Sequence, residues 1–167
     1  MDASLVERAR KADADAFDEL VRRRIDAVYR TAVGILGEPS DARDATQEAF
    51  VLAWRQLPSL REPERFDAWP NRITINCCRM ALRRRRGVSE LRLTADVGGT
   101  EGNGSAIFDN AFERLTVDQR AILLEHHLDG RPVAEIAERL GIPAGTVKSR
   151  LFAARRALER ALEEEQR

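Results

Sequence analysis

PVAEIAERLGIPAGTVKSRLFAARR, residues 132–156, is the stretch whose reading decides the fold. Val133, Ile136, Ala137 and Leu140 recur at helical spacing, and so do Val147, Leu151, Ala154 and Leu158. Gly141 stands between the two stripes, where the chain must turn sharply and a positive φ costs glycine little. Ala137 falls where two helices would cross and a larger side chain would push them apart. Val147, six residues beyond the glycine, is placed to plug the second helix onto the first. This spacing predicts a helix-turn-helix. At 100° per residue, Lys148, Ser149, Phe152, Ala153 and Arg156 point away from the second apolar stripe. A Phe on the wet face of a helix suits the methyl groups of thymine in a major groove, with Lys148 and Ser149 beside it on base edges and phosphates. Thr146 and Arg150 complete the candidate duplex-reading set. The competing reading packs Phe152 on a neighbouring helix and leaves the basic residues solvated.

The rest of the chain is built from similar material. It has 167 residues, 43% hydrophobic and 34% charged, which allows one domain or two small ones with modest cores. Aromatics are only 5%, and Ala, Leu, Glu and Arg dominate, which favours helix over strand. The formal net charge is zero, but its distribution is uneven: residues 1–50 carry eleven acidic and eight basic side chains, and residues 72–86 carry six arginines and no acid. A neutral total can therefore hide two surfaces of opposite preference. The two cysteines, Cys77 and Cys78, are adjacent and have no spaced partner, which points to a reducing compartment. The N-terminal stretch lacks an apolar segment of the kind that directs secretion, and no apolar run reaches membrane-spanning length. The expectation is a cytoplasmic protein with no membrane partner.

Ala14 to Leu36 reads as a long helix capped by Asp13, with Phe17, Leu20, Val21, Ile25, Val28, Ala32 and Ile35 as its buried stripe. Gly37 to Ser40 ends it, and Ser40 or Asp41 opens a second helix, DARDATQEAFVLAWRQL. Ala42, Ala45, Ala49 and Leu52 recur inward there, while Asp44, Gln47, Glu48 and Arg55 fall towards the other side. The two prolines of LPSLREPERF, residues 57–66, mark a loop. Asp67 is placed to cap the next helix, whose first turn tolerates Pro70. In that helix Ile73, Cys77, Met80 and Ala81 form the inner stripe, and Arg72, Asn76, Arg79 and Arg83 the outer one.

Residues 87–107 hold five of the ten glycines and no steady period, and read as a flexible linker. Two domains follow, 1–86 and 108–162. In the second, Asp109 to Leu115 is a short helix and Thr116 to Gln119 a capping box that opens a helix to about Leu128. His126 and His127 are sequence neighbours that should point to different faces. A metal pair on a helix would want i, i+4 spacing, so neither is assigned as a ligand.

With both domains read, the chain resembles the extracytoplasmic-function (ECF) group of bacterial RNA polymerase sigma factors. DARDATQEAFVLAW (41–54), RFDAWPNRITINCCRMALRRRR (65–86) and the stretch 115–158 carry the resemblance, in this order and split by a short linker. It implies an all-α fold of two small helical domains, sigma region 2-like and region 4-like, with no room for the extra domains of a primary sigma factor. It implies that Asp41, Asp44, Gln47 and Glu48 bind the β′ clamp coiled coil of core RNA polymerase and that the second domain meets the β flap. An acidic, amide-bearing face suits a basic partner. It implies that Ser59, Arg61, Arg65, Arg72, Asn76, Arg79, Arg83 and Arg84 hold the non-template strand of the minus-ten element, the loop 59–65 giving a pocket for an unstacked base and the arginines a backbone track. Trp69 fits the core better than a wedge at the duplex fork. The candidate duplex-reading set then becomes the minus-thirty-five contact. Pro70, Met80, Pro132 and Ala153 depart from the residues the family often has at these places.

The function expected is promoter selection and opening, with catalysis left to the polymerase, no cofactor, no metal and no enzyme activity. An anti-sigma factor is left open as a further partner. The rival within DNA binding is a helix-turn-helix regulator that acts without polymerase, but the first domain lacks the strand–helix alternation of a phosphoacceptor module. A helical metal enzyme using His126, His127 and the cysteines is the rival from another class, and a protein that merely sequesters polymerase is a third.

Overall fold

In the computed structural model residues 3–63, 66, 68–91 and 104–166 are described, with 86–91 and 104–105 as backbone alone. These residues form α1 (Ala3–Arg10), α2 (Ala14–Leu36), α3 (Pro39–Gln56), α4 (Trp69–Leu91), α5 (Gly104–Glu113), α6 (Val117–Leu123), α7 (Val133–Leu140) and α8 (Ala144–Glu165), and contain no strand. The all-α expectation holds.

The first half is a bundle of α2, α3 and α4, with α1 laid on α2. Asp13 caps α2 as expected, accepting a 3.0 Å hydrogen bond from the Ala16 amide. Leu20, Ala32, Ile35 and Leu36 of α2 are buried against Ala42, Ala45, Ala49 and Ala53 of α3, whose small side chains allow a close approach. The rings of Phe17 and Trp54 meet at 4.8 Å. Several details differ from the sequence reading. Helix α1 was not foreseen; it buries Leu5, Val6 and Ala9, and the turn that follows it carries Ala12 at a φ of 65°. Helix α3 starts earlier, at Pro39, with Glu38 as its cap. Met80 is 48% exposed rather than internal, while Ile75 and Cys78 are buried. The buried face of α4 is rotated and widened because α4 touches α2 and α3 on one side and α6 and α7 on another. Asp67 lies outside the described residues.

Helix α4 continues through Gly87 to Leu91, and α5 begins at Gly104. One glycine costs a helix only about 1 kcal/mol, less than its flanking helix formers offset. Helix therefore occupies both ends of the expected linker 87–107, and the remainder, 92–103, lies outside the described residues.

The second half packs α5, α6 and α7 on α8. Ile136, Val147, Leu151 and Ala154 are buried together, as the two stripes required. Gly141 takes a φ of 66° as the cap that ends α7. The helix expected to run to Leu128 instead changes at Leu124 to a π-helical turn, Leu124–Leu128. Thr116 makes the capping box: its hydroxyl accepts from the Gln119 amide at 3.3 Å, and the Gln119 side chain accepts from the Thr116 amide at 2.9 Å. Thr116→Ala should lower stability by about 1 kcal/mol, which differential scanning calorimetry would read as a fall of about 3 °C in Tm. An unchanged Tm would contradict the role given to this cap.

The halves touch through α2 and α4 against α6, and α4 against α7. Gly34 is what lets α2 come so near: a Cβ there would lie 2.7 Å from Leu124 Cδ1.

Candidate functional site

Helix α8 turns its buried face, Val147, Leu151 and Ala154, onto the second core, and this fixes what its other face shows. Lys148, Ser149, Arg150, Ala153 and Arg156 are exposed beside Phe152, which is 67% exposed. The reading in which Phe152 packs on a neighbouring helix is thereby excluded for this arrangement. Thr146 is half-buried, and its carbonyl accepts from the Ser149 hydroxyl at 3.0 Å. Arg156 has only a distant acid, Glu159, at 3.9 Å. The face combines cations, hydroxyls and an aromatic ring without an acid among them, which is the chemistry that a base edge and a phosphate require.

A second surface lies where α4 begins. Ser59, Leu60, Arg61, Glu62, Ala68, Trp69 and Arg72 wall a recess of about 230 Å³, closed on its far side by Glu138 and Gly141 of the second half. Pro58 and Leu57 precede it in a 3₁₀ turn, Leu57–Ser59, where the Ser59 hydroxyl donates to the Gln56 carbonyl at 2.6 Å. Trp69 packs partly buried against the first core, with its ring 6.1 Å from that of Phe66. Arg72, Asn76 and Arg83 line the exposed side of α4, and Arg79 bonds both the Asn76 side chain and, at 2.7 Å, Asp118 of α6. Arg65 lies outside the described residues. Arg84 faces elsewhere: it pairs with Glu48 of α3 at 3.0 Å, as Arg85 pairs with Asp41 at 2.8 Å.

The acidic face of α3 is thus divided. Asp41 and Glu48 are engaged by arginines of α4, whereas Asp44 and Gln47 are exposed. Gln47 borders an open apolar groove between α2 and α3, floored by Phe17, Val21, Phe50 and Trp54, with Ile25 and Val51 exposed on its rim.

Two polar pins between the halves escaped the sequence reading. Glu125 is 2% exposed; its carboxylate accepts from Asn71 Nδ2 of α4 at 2.6 Å and from Arg139 Nε at 3.0 Å, and lies 3.0 Å from Arg131 Nε. Arg24 is close enough to this cluster that burial, then the Arg139 and Arg131 charges, hold its guanidinium below its ordinary value. Arg120, also buried, donates to the carbonyls of Leu115 and Glu113 and, across the junction, to that of Ile35. The signal was present, since Arg120 and Glu125 flank the apolar run Ala121–Leu124, but nothing said where their partners would be.

His126 and His127 do not point to different faces. In the π-helical turn their rings stand 4.8 Å apart, edge to face. His126 Nδ1 is 3.0 Å from the Arg131 carbonyl, and His127 Nε2 accepts from Arg155. Burial, then the Arg155 and His126 charges, hold the His127 pKa below its ordinary value. Cys77 and Cys78 are buried free thiols, pushed up to about 11 and about 12 chiefly by burial. Among the described residues no group of three or more His, Cys, Asp or Glu is placed to hold a metal, and no helix is long and apolar enough to cross a membrane.

Known proteins share this arrangement. Residues 20–88 match the family Sigma-70 region 2, and residues 105–158 match Sigma-70, region 4. The ECF RNA polymerase sigma factor SigM of Mycobacterium tuberculosis is 34% identical over 166 residues, covering 96% of this chain and 84% of its own. The ECF RNA polymerase sigma-E factor of Escherichia coli is 32% identical, covering 95% and 92%. Among solved structures, CnrH in complex with the cytosolic domain of CnrY superposes with a TM-score of 0.68 at 27% identity, over 98% of this chain and 97% of CnrH. RpoE of Bartonella quintana, solved with the anti-sigma factor NepR, shares the fold at a TM-score of 0.64 and 24% identity, over 88% and 96% of the two chains.

Proposed function

The chain belongs to the ECF RNA polymerase sigma factor family and is not an enzyme, and from that premise we propose that it carries core polymerase to a set of promoters and helps to open them. Residues 1–86 form the part that holds polymerase and the minus-ten strand, and residues 108–162 the part that reads the minus-thirty-five duplex, joined through 87–107. The observation that carries the reading is the outer face of α8, where an exposed Phe152 stands among Lys148, Ser149 and Arg156. A solvated aromatic ring between cations has little use in a folded monomer and a direct one against thymine methyls.

In this mechanism α8 enters the major groove of the upstream element. Arg61 and Arg72, beside the recess, take an unstacked base of the minus-ten element, and Asn76, Arg79 and Arg83 follow its backbone. Core polymerase binds through its β′ clamp coiled coil to α3 and through its β flap to the second half. Asp44 and Gln47 are the exposed members of the α3 set and make the direct clamp contacts; Asp41 and Glu48, paired to Arg85 and Arg84, fix the orientation of α3 against α4. The likeness to CnrH, seen in complex with the cytosolic domain of CnrY, supports a protein regulator as well, an anti-sigma factor.

Asp44→Ala with Gln47→Ala should weaken association with purified bacterial core polymerase by about tenfold, equivalent to about 1.4 kcal/mol shared between two polar side chains at the rim of the interface. Fluorescence titration of labelled protein into core enzyme reads this. Equal affinity for the variant and the parent would contradict the assignment of α3.

A further inference from the structure

We propose that Met80 is an oxidation site that controls strand capture: its thioether packs on a base of the minus-ten strand, and the sulfoxide that a peroxide makes of it slows promoter opening; this rests on the minus-ten reading given above. Met80 is 48% exposed on α4. Its exposed neighbours on the helix are polar. Asn76 lies one turn before it, and Arg83 and Arg84 one turn after, all of them exposed. At 100° per residue the thioether stands at the edge of the stripe Arg72, Asn76, Arg79 and Arg83, which the strand is read to follow. The arginines of that stripe supply charge for phosphates. An unpaired strand also presents the faces of its bases, which favour a polarisable apolar surface. An unbranched thioether supplies one and adapts to whichever base arrives.

The same exposure makes Met80 the sulfur that an oxidant meets. The sequence holds two methionines, Met1 and Met80, and two cysteines, Cys77 and Cys78. Both cysteines are buried, and burial pushes their thiols up to about 11 and about 12. The thiolate is the form that attacks a peroxide, so they are poor targets at neutral pH. A thioether needs no deprotonation. Its lone pair takes one oxygen from hydrogen peroxide, the O–O bond breaks, the sulfur loses two electrons and the peroxide leaves as water. The product is polar and chiral where the parent was apolar. It packs less well on a base, and its oxygen is an acceptor one turn from the Arg83 guanidinium, which it draws from the strand. A methionine sulfoxide reductase reverses the step: a dithiol becomes a disulfide and the oxygen leaves as water.

For the test, the full chain is treated with hydrogen peroxide, freed of it, and assembled with untreated bacterial core enzyme on a promoter from its own genome. Peptide mass spectrometry should place an oxygen on Met80 before any on Cys77 or Cys78. Permanganate reactivity of thymines, which reads unpaired bases, should show opening slowed about fivefold. Reductases for both sulfoxide epimers should restore it, and association with core enzyme should not change. In Met80→Leu, which keeps Met1 and both thiols, the rate of opening should be the same before and after peroxide. Met80→Gln, polar and of similar length, should open as slowly as the oxidised parent. Oxygen on the cysteines first, equal opening by oxidised and untreated parent, a Met80→Leu that peroxide still slows, or a matching loss of core association would each overturn the switch. Arg72→Ala with Arg83→Ala then separates the two readings. Slower opening by that pair keeps the minus-ten stripe and removes Met80 alone; unaltered opening, or no opening by any form, removes both.

Discussion

Replacing Lys148 and Phe152 together by alanine should lower run-off transcription from a promoter that needs its upstream element by about a hundredfold, because removing a side chain that touches a base or a phosphate costs about 1–3 kcal/mol. Both side chains are exposed on α8 and the residues that hold the helix in place, Val147, Leu151 and Ala154, are untouched. Surface changes of this kind alter folding by no more than about 0.5 kcal/mol, so the loss belongs to recognition. Association with core polymerase should stay the same, since α3 in the other half is unaltered. The two side chains also differ in kind. Lys148→Ala alone should flatten the salt dependence of duplex binding by about one ion, the signature of one phosphate no longer neutralised, and Phe152→Ala alone should not. Footprinting and run-off assays over a salt series measure both. A double variant that starts RNA as well as the parent would remove α8 as the reader of the duplex.

The second large effect is on stability. Arg120→Met keeps much of the volume and removes the guanidinium that bonds the carbonyls of Leu115, Glu113 and Ile35. Each buried acceptor left without a donor costs about 1–3 kcal/mol. Releasing the desolvated cation, which also sits 5.9 Å from the centre of the Phe112 ring, returns part of that. A net loss of about 3 kcal/mol is expected, consistent with the cost of breaking a buried polar network. Because one of the three carbonyls belongs to α2, the unfolding of the halves should also uncouple. Urea denaturation followed by Trp54 and Trp69 fluorescence, which reports on the first half, should separate from denaturation followed by far-ultraviolet dichroism. A coincident and unshifted pair of transitions would show that Arg120 is not a structural pin.

Much of this molecule was legible in its sequence, for reasons that lie in particular residues. Helices with strong apolar periods and explicit punctuation were found closely: α2 between Asp13 and Gly37, the turn from α7 to α8 around Gly141, and, at its start only, α6 from the capping box at Thr116. Helix α1 was missed because it is short and the turn after it is made at Ala12, which adopts a left-handed φ of 65° with no glycine or asparagine to announce it. The inner face of α4 was misjudged at Met80 because periodicity supposes one neighbour and α4 has two sets. The π-helical turn at Leu124–Leu128 has no composition of its own, and the pairing of His126 with His127 follows from it. The outer face of α8 could be read from phase alone. The strand-reading surface could not: its arginines were visible, but their partition among Asp118, Glu48 and Asp41 depends on tertiary neighbours distant in the chain.

The central claim is that this chain gives a bacterial core polymerase its promoters. Its most direct measurement is run-off transcription with purified core enzyme on a library of genomic promoter fragments, with and without the protein. The account predicts a stable complex and RNA of defined length from a limited set of fragments sharing spaced upstream and minus-ten elements. A protein that forms no complex with core enzyme, or a complex that starts RNA no more selectively than core enzyme alone, would contradict it.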